Sequence, residues 1–222
     1  MDIANIIQTI AIYALPVLFA ITMYGVARSE AARYFGDTTA EEMGRITLNP
    51  LQHIDPIGTI AVPLLLYFAT GGAFLFGYAK ALPLDFSRLR NPKRDMIWIS
   101  LAGPMSNFAQ AFIWGLSLLA MRAFGVEEPF FLKMAQAGVQ VNLVMWAFNL
   151  FPLPPLDGGR ILMGFLPMKQ AMWLSRVEPW GFFIVLGLAV IGVVGTVWLR
   201  PLMSVGYAVI GLLLTPLMLL LR

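Results

Sequence analysis

The chain has no cysteine and a single histidine among its 222 residues. Without cysteine there is no disulfide framework, no thiolate metal site and no cysteine nucleophile. Charge is scarce too: Asp, Glu, Lys and Arg make up 12% of the residues, about half the usual share of a soluble domain. Hydrophobic residues reach 59%, and the mean hydropathy is +0.77. A soluble protein of this size would lack the polar residues to cover its surface. These proportions argue against a soluble enzyme, a nucleic-acid reader or a disordered tail. They predict an all-α polytopic membrane protein forming one integral membrane domain over 1–222. The pI near 9.4 is no nucleic-acid signal, because the net charge is only +3 and the basic residues sit between apolar runs. Met1 and Asp2 carry no basic flank, so no cleaved signal peptide is expected.

A hydrocarbon core needs about 20 apolar residues per helix. Six stretches are long enough and free of charge: 3–23, 57–79, 96–121, 134–156, 180–199 and 201–221. The first helix is expected over 3–29, core helices over 96–121 and 134–156, and a C-terminal pair over 180–199 and 201–221. Arg200-Pro201 reads as a tight turn between that pair. If all six stretches cross, nine of the 15 Lys and Arg residues lie on one side and six on the other. If 57–79 dips in and returns, twelve share one side and only Arg122, Lys133 and Arg200 lie opposite. Basic residues concentrate in the cytoplasm, so five crossings plus a re-entrant element are preferred, with the N-terminus outside. Pro63, Gly71, Gly72 and Gly77 interrupt that segment, as re-entrant backbone permits.

The most unusual stretch is Asn149-Leu-Phe-Pro-Leu-Pro-Pro-Leu-Asp157-Gly-Gly-Arg160. Its prolines and glycines break a membrane helix beside a carboxylate. An ionisable residue at such a break is a functional candidate. The plainer alternative is a solvated Asp157 capping the next helix.

Asn149 through Gly159 resembles the N-x-x-P-x-P-P-L-D-G-G motif of the site-2 protease family, the intramembrane zinc metalloproteases. Three further blocks are similar to the family's short bacterial members and stand in the same order. They are Gly36-Asp37 with Thr47 through Thr59, Arg90 through Asp95, and Ala102 through Asn107. The resemblance implies a bacterial inner-membrane, multi-pass protein that acts on a transmembrane segment within the lipid bilayer. It implies no nucleic-acid partner. In the family an H-E-x-x-H motif on the first helix supplies two zinc ligands four residues apart on one face. The Glu takes a proton from the zinc-bound water, and the Asp of the L-D-G motif is the third ligand.

Here the corresponding residues are Tyr24-Gly25-Val26-Ala27-Arg28. Tyr24 and Arg28 stand at the two His positions and Gly25 at the general-base position. Asp157 keeps the third-ligand position. A phenol with a pKa near 10 is a poor zinc ligand. Arginine presents only donors. Glu30 is no replacement base, since it lies about 240° round the helix from Tyr24. No catalytic residue and no cofactor are therefore expected, although zinc serves the family. The resemblance leaves Asn149 as a substrate-binding candidate. Phe76 through Leu84 is similar to the family's extended strand beside the active site, which could pair with a substrate segment.

Stripped of zinc, a buried Asp157 must protonate, reach water or find a cation. Arg28 is the expected partner, with the Tyr24 hydroxyl as a further donor. The alternative is that Arg28 snorkels to the interface. The leading functional expectation is a proteolytically inactive homologue that binds or scaffolds a transmembrane partner. One alternative is an active metallopeptidase with a non-standard metal site around His53, Asp55 and Asp157. A further one is a small transporter or channel, for which the broken helix speaks. Deliberate alteration of an active parent would leave the same residues.

Overall fold

A computed structural model describes residues 3–56, residue 61 and residues 83–220. The expected re-entrant element at 57–79 and most of the extended run at 76–84 lie outside the described residues. Among the described residues the architecture is all-helical, with no strand.

Helix α1 runs from Ile3 to Tyr34 and carries Pro16 inside it. It ends where the chain reverses at Gly36. The Gly36 N–H donates to the Arg33 carbonyl at 3.0 Å and the Asp37 N–H to the Ala32 carbonyl at 2.9 Å. This pair of bonds is a Schellman ending, which needs a left-handed residue. Gly36, at φ +110°, supplies it without a Cβ penalty. A short helix α2 follows at Thr39–Glu42. Helix α3 spans Pro92–Ala123 and α4 spans Pro129–Asn149. Both open with proline, whose missing N–H costs nothing at a helix start.

Helices α1, α3 and α4 pack side by side, and buried amides tie them. Asn107 Nδ2 donates to the Ala20 carbonyl at 3.1 Å and to Asn142 Oδ1 at 3.0 Å, so one amide joins all three helices. Asn142 Nδ2 in turn donates to the Gly138 carbonyl at 2.9 Å. The chain then breaks and resumes as α5 at Asp157–Phe165, followed by α6 at Met168–Ser175 and α7 at Glu178–Val190. A stretch of π-helix at Val194–Leu199 leads into α8 at Arg200–Leu220. Ile210 and Leu214 of α8 pack on Ala111, Val139 and Leu143 of the three-helix core.

Arg200-Pro201 is not a turn, contrary to the sequence expectation. The helical path runs unbroken from Val194 to Leu220, and the break falls at Ile191-Gly192, where Gly192 adopts φ +81°. Wider π turns absorb the bond that Pro201 cannot make, whereas the left-handed glycine ends α7.

Two helical spans, Ile7–Tyr34 and Val194–Leu220, are long and apolar enough to cross a membrane. A third forms if α6 and α7, bent by 66° at their junction, count as one span. Helices α3 and α4 have the length but carry Asn107, Gln110 and Asn142 inward, which lowers their apolar character. The chain is thus an all-α membrane protein with two or three spans evident from length and composition among the described residues.

Candidate functional site

The site forms where the end of α4 turns back on α1. Helix α4 stops at Asn149, and a short connection through cis Pro154-Pro155 brings the chain to Asp157, the first residue of α5. That connection is packed too closely for side chains at 158 and 159. A Cβ on Gly158 would lie 2.1 Å from the Leu150 carbonyl oxygen, and one on Gly159 would lie 2.1 Å from Pro154 N. The two glycines let the first turn of α5 lie directly on the backbone of the connection, so Asp157 is aimed by main-chain packing. Its carboxylate also complements the positive end of α5.

Asp157 is 2% exposed. It is not the solvated cap of the plainer sequence alternative. Arg28 Nη2 stands 3.4 Å from Asp157 Oδ1, and the Tyr24 hydroxyl donates to Asp157 Oδ2. Arg28 Nη1 donates to the Tyr24 oxygen at 3.2 Å, closing a triangle of cation, phenol and carboxylate. Arg28 is largely buried rather than snorkelled, with 12% of its side chain exposed. Its carbon Cζ also lies 5.5 Å from the centroid of the Tyr24 ring. One turn apart on α1, Tyr24 and Arg28 reach the same carboxylate because residues four apart share a helix face.

Asn149 borders this triangle. Its Oδ1 is 3.5 Å from the Tyr24 hydroxyl oxygen, and its Nδ2 donates to the Met145 carbonyl of its own helix at 2.9 Å. Glu30 faces elsewhere and pairs with Arg33 at 2.7 Å.

Two neighbours complete the surroundings of the triangle, and the first of them was not foreseen from the sequence. The first is Gly103 of α3, where an added Cβ would meet Tyr24 Cε2 at 2.4 Å and Arg28 Cδ at 3.0 Å. Helix α3 therefore forms the floor under both side chains. The Ala102-Gly103-Pro104 block was visible as a family-like stretch, but nothing in it pointed at Tyr24. The second is His53. It is 4% exposed, its Nε2 lies 2.8 Å from the Thr47 carbonyl, and its ring rests against Gly25. A Cβ on Gly25 would fall 2.4 Å from His53 Nδ1. The imidazole thus occupies space that any side chain at position 25 would need. Among the described residues, no group of three or more His, Cys, Asp and Glu side chains is arranged to hold a metal ion.

The sequence has clear relatives. It is 36% identical over 198 residues to the protein named "Putative zinc metalloprotease YwhC" of Bacillus subtilis (strain 168), covering 85% of this chain and 84% of that one. It is 31% identical over 176 residues to the likewise named Rip2 of Mycolicibacterium smegmatis, covering 78% of this chain and 64% of that protein. A similar name belongs to Rip3 of Mycobacterium tuberculosis, 34% identical over 139 residues, or 57% of this chain and 34% of that one. No family model matches the chain. No solved structure matches it either.

Proposed function

The chain belongs to the site-2 protease family of intramembrane zinc metalloproteases, and from that membership we propose that it is a proteolytically inactive member. In this reading an ion-pair clamp replaces the zinc site, and the chain binds or scaffolds a transmembrane segment of a partner without cutting it. The observation that carries the reading is the engagement of Asp157 by Arg28 and Tyr24. At the two positions where the family resemblance puts histidine ligands, Tyr24 donates to the carboxylate that would be the third ligand and Arg28 forms an ion pair with it.

The donor chemistry speaks against a zinc ion among these residues. Zinc wants three lone-pair donors and an open position. Arg28 has no lone pair to give, and its positive charge lies where a dication would have to sit. Tyr24 offers a neutral phenol that is already donating to Asp157. Gly25 has no side chain to act as base.

The Lys and Arg distribution favours five crossings of a bacterial inner membrane, and the family resemblance favours Asn149 contacting the backbone of the bound segment. Metal content of the protein purified in mild detergent tests the inactive reading. The unmodified chain is expected to carry essentially no zinc. A chain with Tyr24→His, Gly25→Glu and Arg28→His, made with and without His53→Ala to clear the space beside position 25, is expected to approach about one zinc per chain. Stoichiometric zinc in the unmodified chain would overturn the proposal.

A further inference from the structure

A cavity lies between the end of α1 and the start of α3, away from the Asp157 triangle. Its volume is about 250 Å³, and Tyr34, Phe35, Arg90, Asn91, Arg94 and Trp98 line it, together with the first-turn Asp95. The Arg90 N–H donates to the Phe35 carbonyl at 3.3 Å, which fixes one wall against the other. Asp95 is 4% exposed, and its Oδ2 accepts from the Asn91 N–H at 2.7 Å. Its carboxylate is thus occupied in holding the helix start.

Several arginines elsewhere in the chain carry an acidic partner. Arg28 pairs with Asp157, Arg33 with Glu30 and Glu41, Arg88 with Glu42 and Asp85, and Arg160 with Glu178. Neighbouring Lys93 donates to the Leu166 carbonyl at 2.5 Å. Among the described residues, Arg90 and Arg94 have no carboxylate within ion-pair distance. The one carboxylate that lines the cavity, Asp95, is turned to the Asn91 N–H and forms no ion pair with either guanidinium.

Position in the bilayer adds an independent constraint. Tyr34 ends the span Ile7–Tyr34, and Trp98 sits in the second turn of α3 beside it. They are 74% and 51% exposed. Amphipathic rings at a span end mark the headgroup level. A volume near 250 Å³ falls below the range of about 300–1,000 Å³ typical of sites that enclose a drug-sized ligand, and so suits a headgroup better than a peptide.

We propose that Arg90 and Arg94, framed by Tyr34 and Trp98, bind the phosphate of an acidic membrane lipid at this end of α1 and α3. Arginine forks match phosphate oxygens two at a time. Such a lipid would anchor the rim of the same two helices that carry Tyr24, Arg28 and Gly103.

The test is native mass spectrometry of the full chain in mild detergent, titrated with phosphatidylglycerol or phosphatidylcholine. Preferential retention of phosphatidylglycerol is expected. Each arginine is expected to contribute about a fivefold factor, so Arg90→Gln with Arg94→Gln should weaken retention roughly thirtyfold. Arg122→Gln with Arg200→Gln makes the same net-charge change elsewhere and should leave retention intact. Equal weakening in both double variants, or none in the first, would overturn the site. Arg94→Gln alone, expected to give about a fivefold loss, keeps the test decisive if the double variant does not fold. Displacement of bound lipid by soluble glycerol 1-phosphate would mean that free phosphate is the ligand and would overturn the lipid assignment.

Discussion

Replacing Arg28 by Met removes the guanidinium that stands 3.4 Å from Asp157 but keeps a long flexible side chain to fill the space. At that distance, and with an effective dielectric constant of about 20, the gross attraction between the two charges is about 5 kcal/mol. The pair lies in a low-dielectric setting, with Asp157 2% exposed, so the loss of one partner strands the other. Breaking a buried ion pair in this way costs about 3–5 kcal/mol. The lower end applies here, because the Tyr24 hydroxyl continues to donate to Asp157. Asp157→Leu alone strands the arginine and should cost a similar amount. Changing both, Arg28→Met with Asp157→Leu, removes both charges together and should return stability to within about 1–2 kcal/mol of the unmodified chain. With about 3 kcal/mol for each single variant, the double-mutant cycle therefore predicts a coupling of about 4–5 kcal/mol. Reversible unfolding in mixed micelles, followed by tryptophan fluorescence, measures all four corners. Single-variant costs that simply add, leaving a coupling below about 0.5 kcal/mol, would refute the clamp.

Gly103→Val should push Tyr24 off Asp157, because the Cβ alone would approach the ring to 2.4 Å. A loss of about 1–3 kcal/mol is expected in the same unfolding assay. Asn107→Leu removes the amide that joins Ala20 and Asn142 and should cost about 0.6–2 kcal/mol, with Asn142→Ala showing a smaller effect. The pH dependence should appear in the loops outside the membrane. Glu42 is held below the usual carboxylate range by the Thr38 hydroxyl and by Arg88, and Asp85 is held low by the hydroxyl and N–H of Ser87. A depressed carboxyl stabilises the folded loop above its unfolded pKa, near 4 for both groups, and the contribution is lost as pH falls through the lower folded value. Amide hydrogen exchange at 38–45 and 85–90 should therefore rise as pH falls below about 4 while the α3–α4 core stays protected. Unchanged exchange over that window would contradict the assignment.

Much of the site was legible because its residues carry strong local chemistry. Asp157 stood out as a carboxylate beside a proline-broken helix, and Arg28 as a cation one turn from Tyr24. Helical periodicity then put Tyr24 and Arg28 on one face. The contacts that support them were not legible. Gly103 and Gly25 are identified by absent side chains, and a glycine discloses nothing about which neighbour will use the space. His53 stood out as the single histidine, but its seat against Gly25 depends on how the 47–53 turn folds back over α1. The turn assigned to Arg200-Pro201 failed for a related reason. Proline is the louder breaker in sequence, yet a π turn accommodates it, while the quieter Gly192 made the actual break. Hydropathy likewise favoured six stretches. It could not weigh the inward amides of α3 and α4 as internal bonds between helices.

The backbone corner at Gly158 and Gly159 separates keeping a shape from keeping a chemistry. Because Asp157 is aimed by main chain lying against main chain, the socket it faces does not depend on what fills it. Substitutions at 24 and 28 can therefore explore donors, cations or metal ligands one at a time, each tested against a wall that does not move. A change at 158 or 159 alters the wall itself and disables every occupant at once. A lineage holding such a corner would tolerate an exchanged ligand set far more readily than a single added methyl group on either glycine.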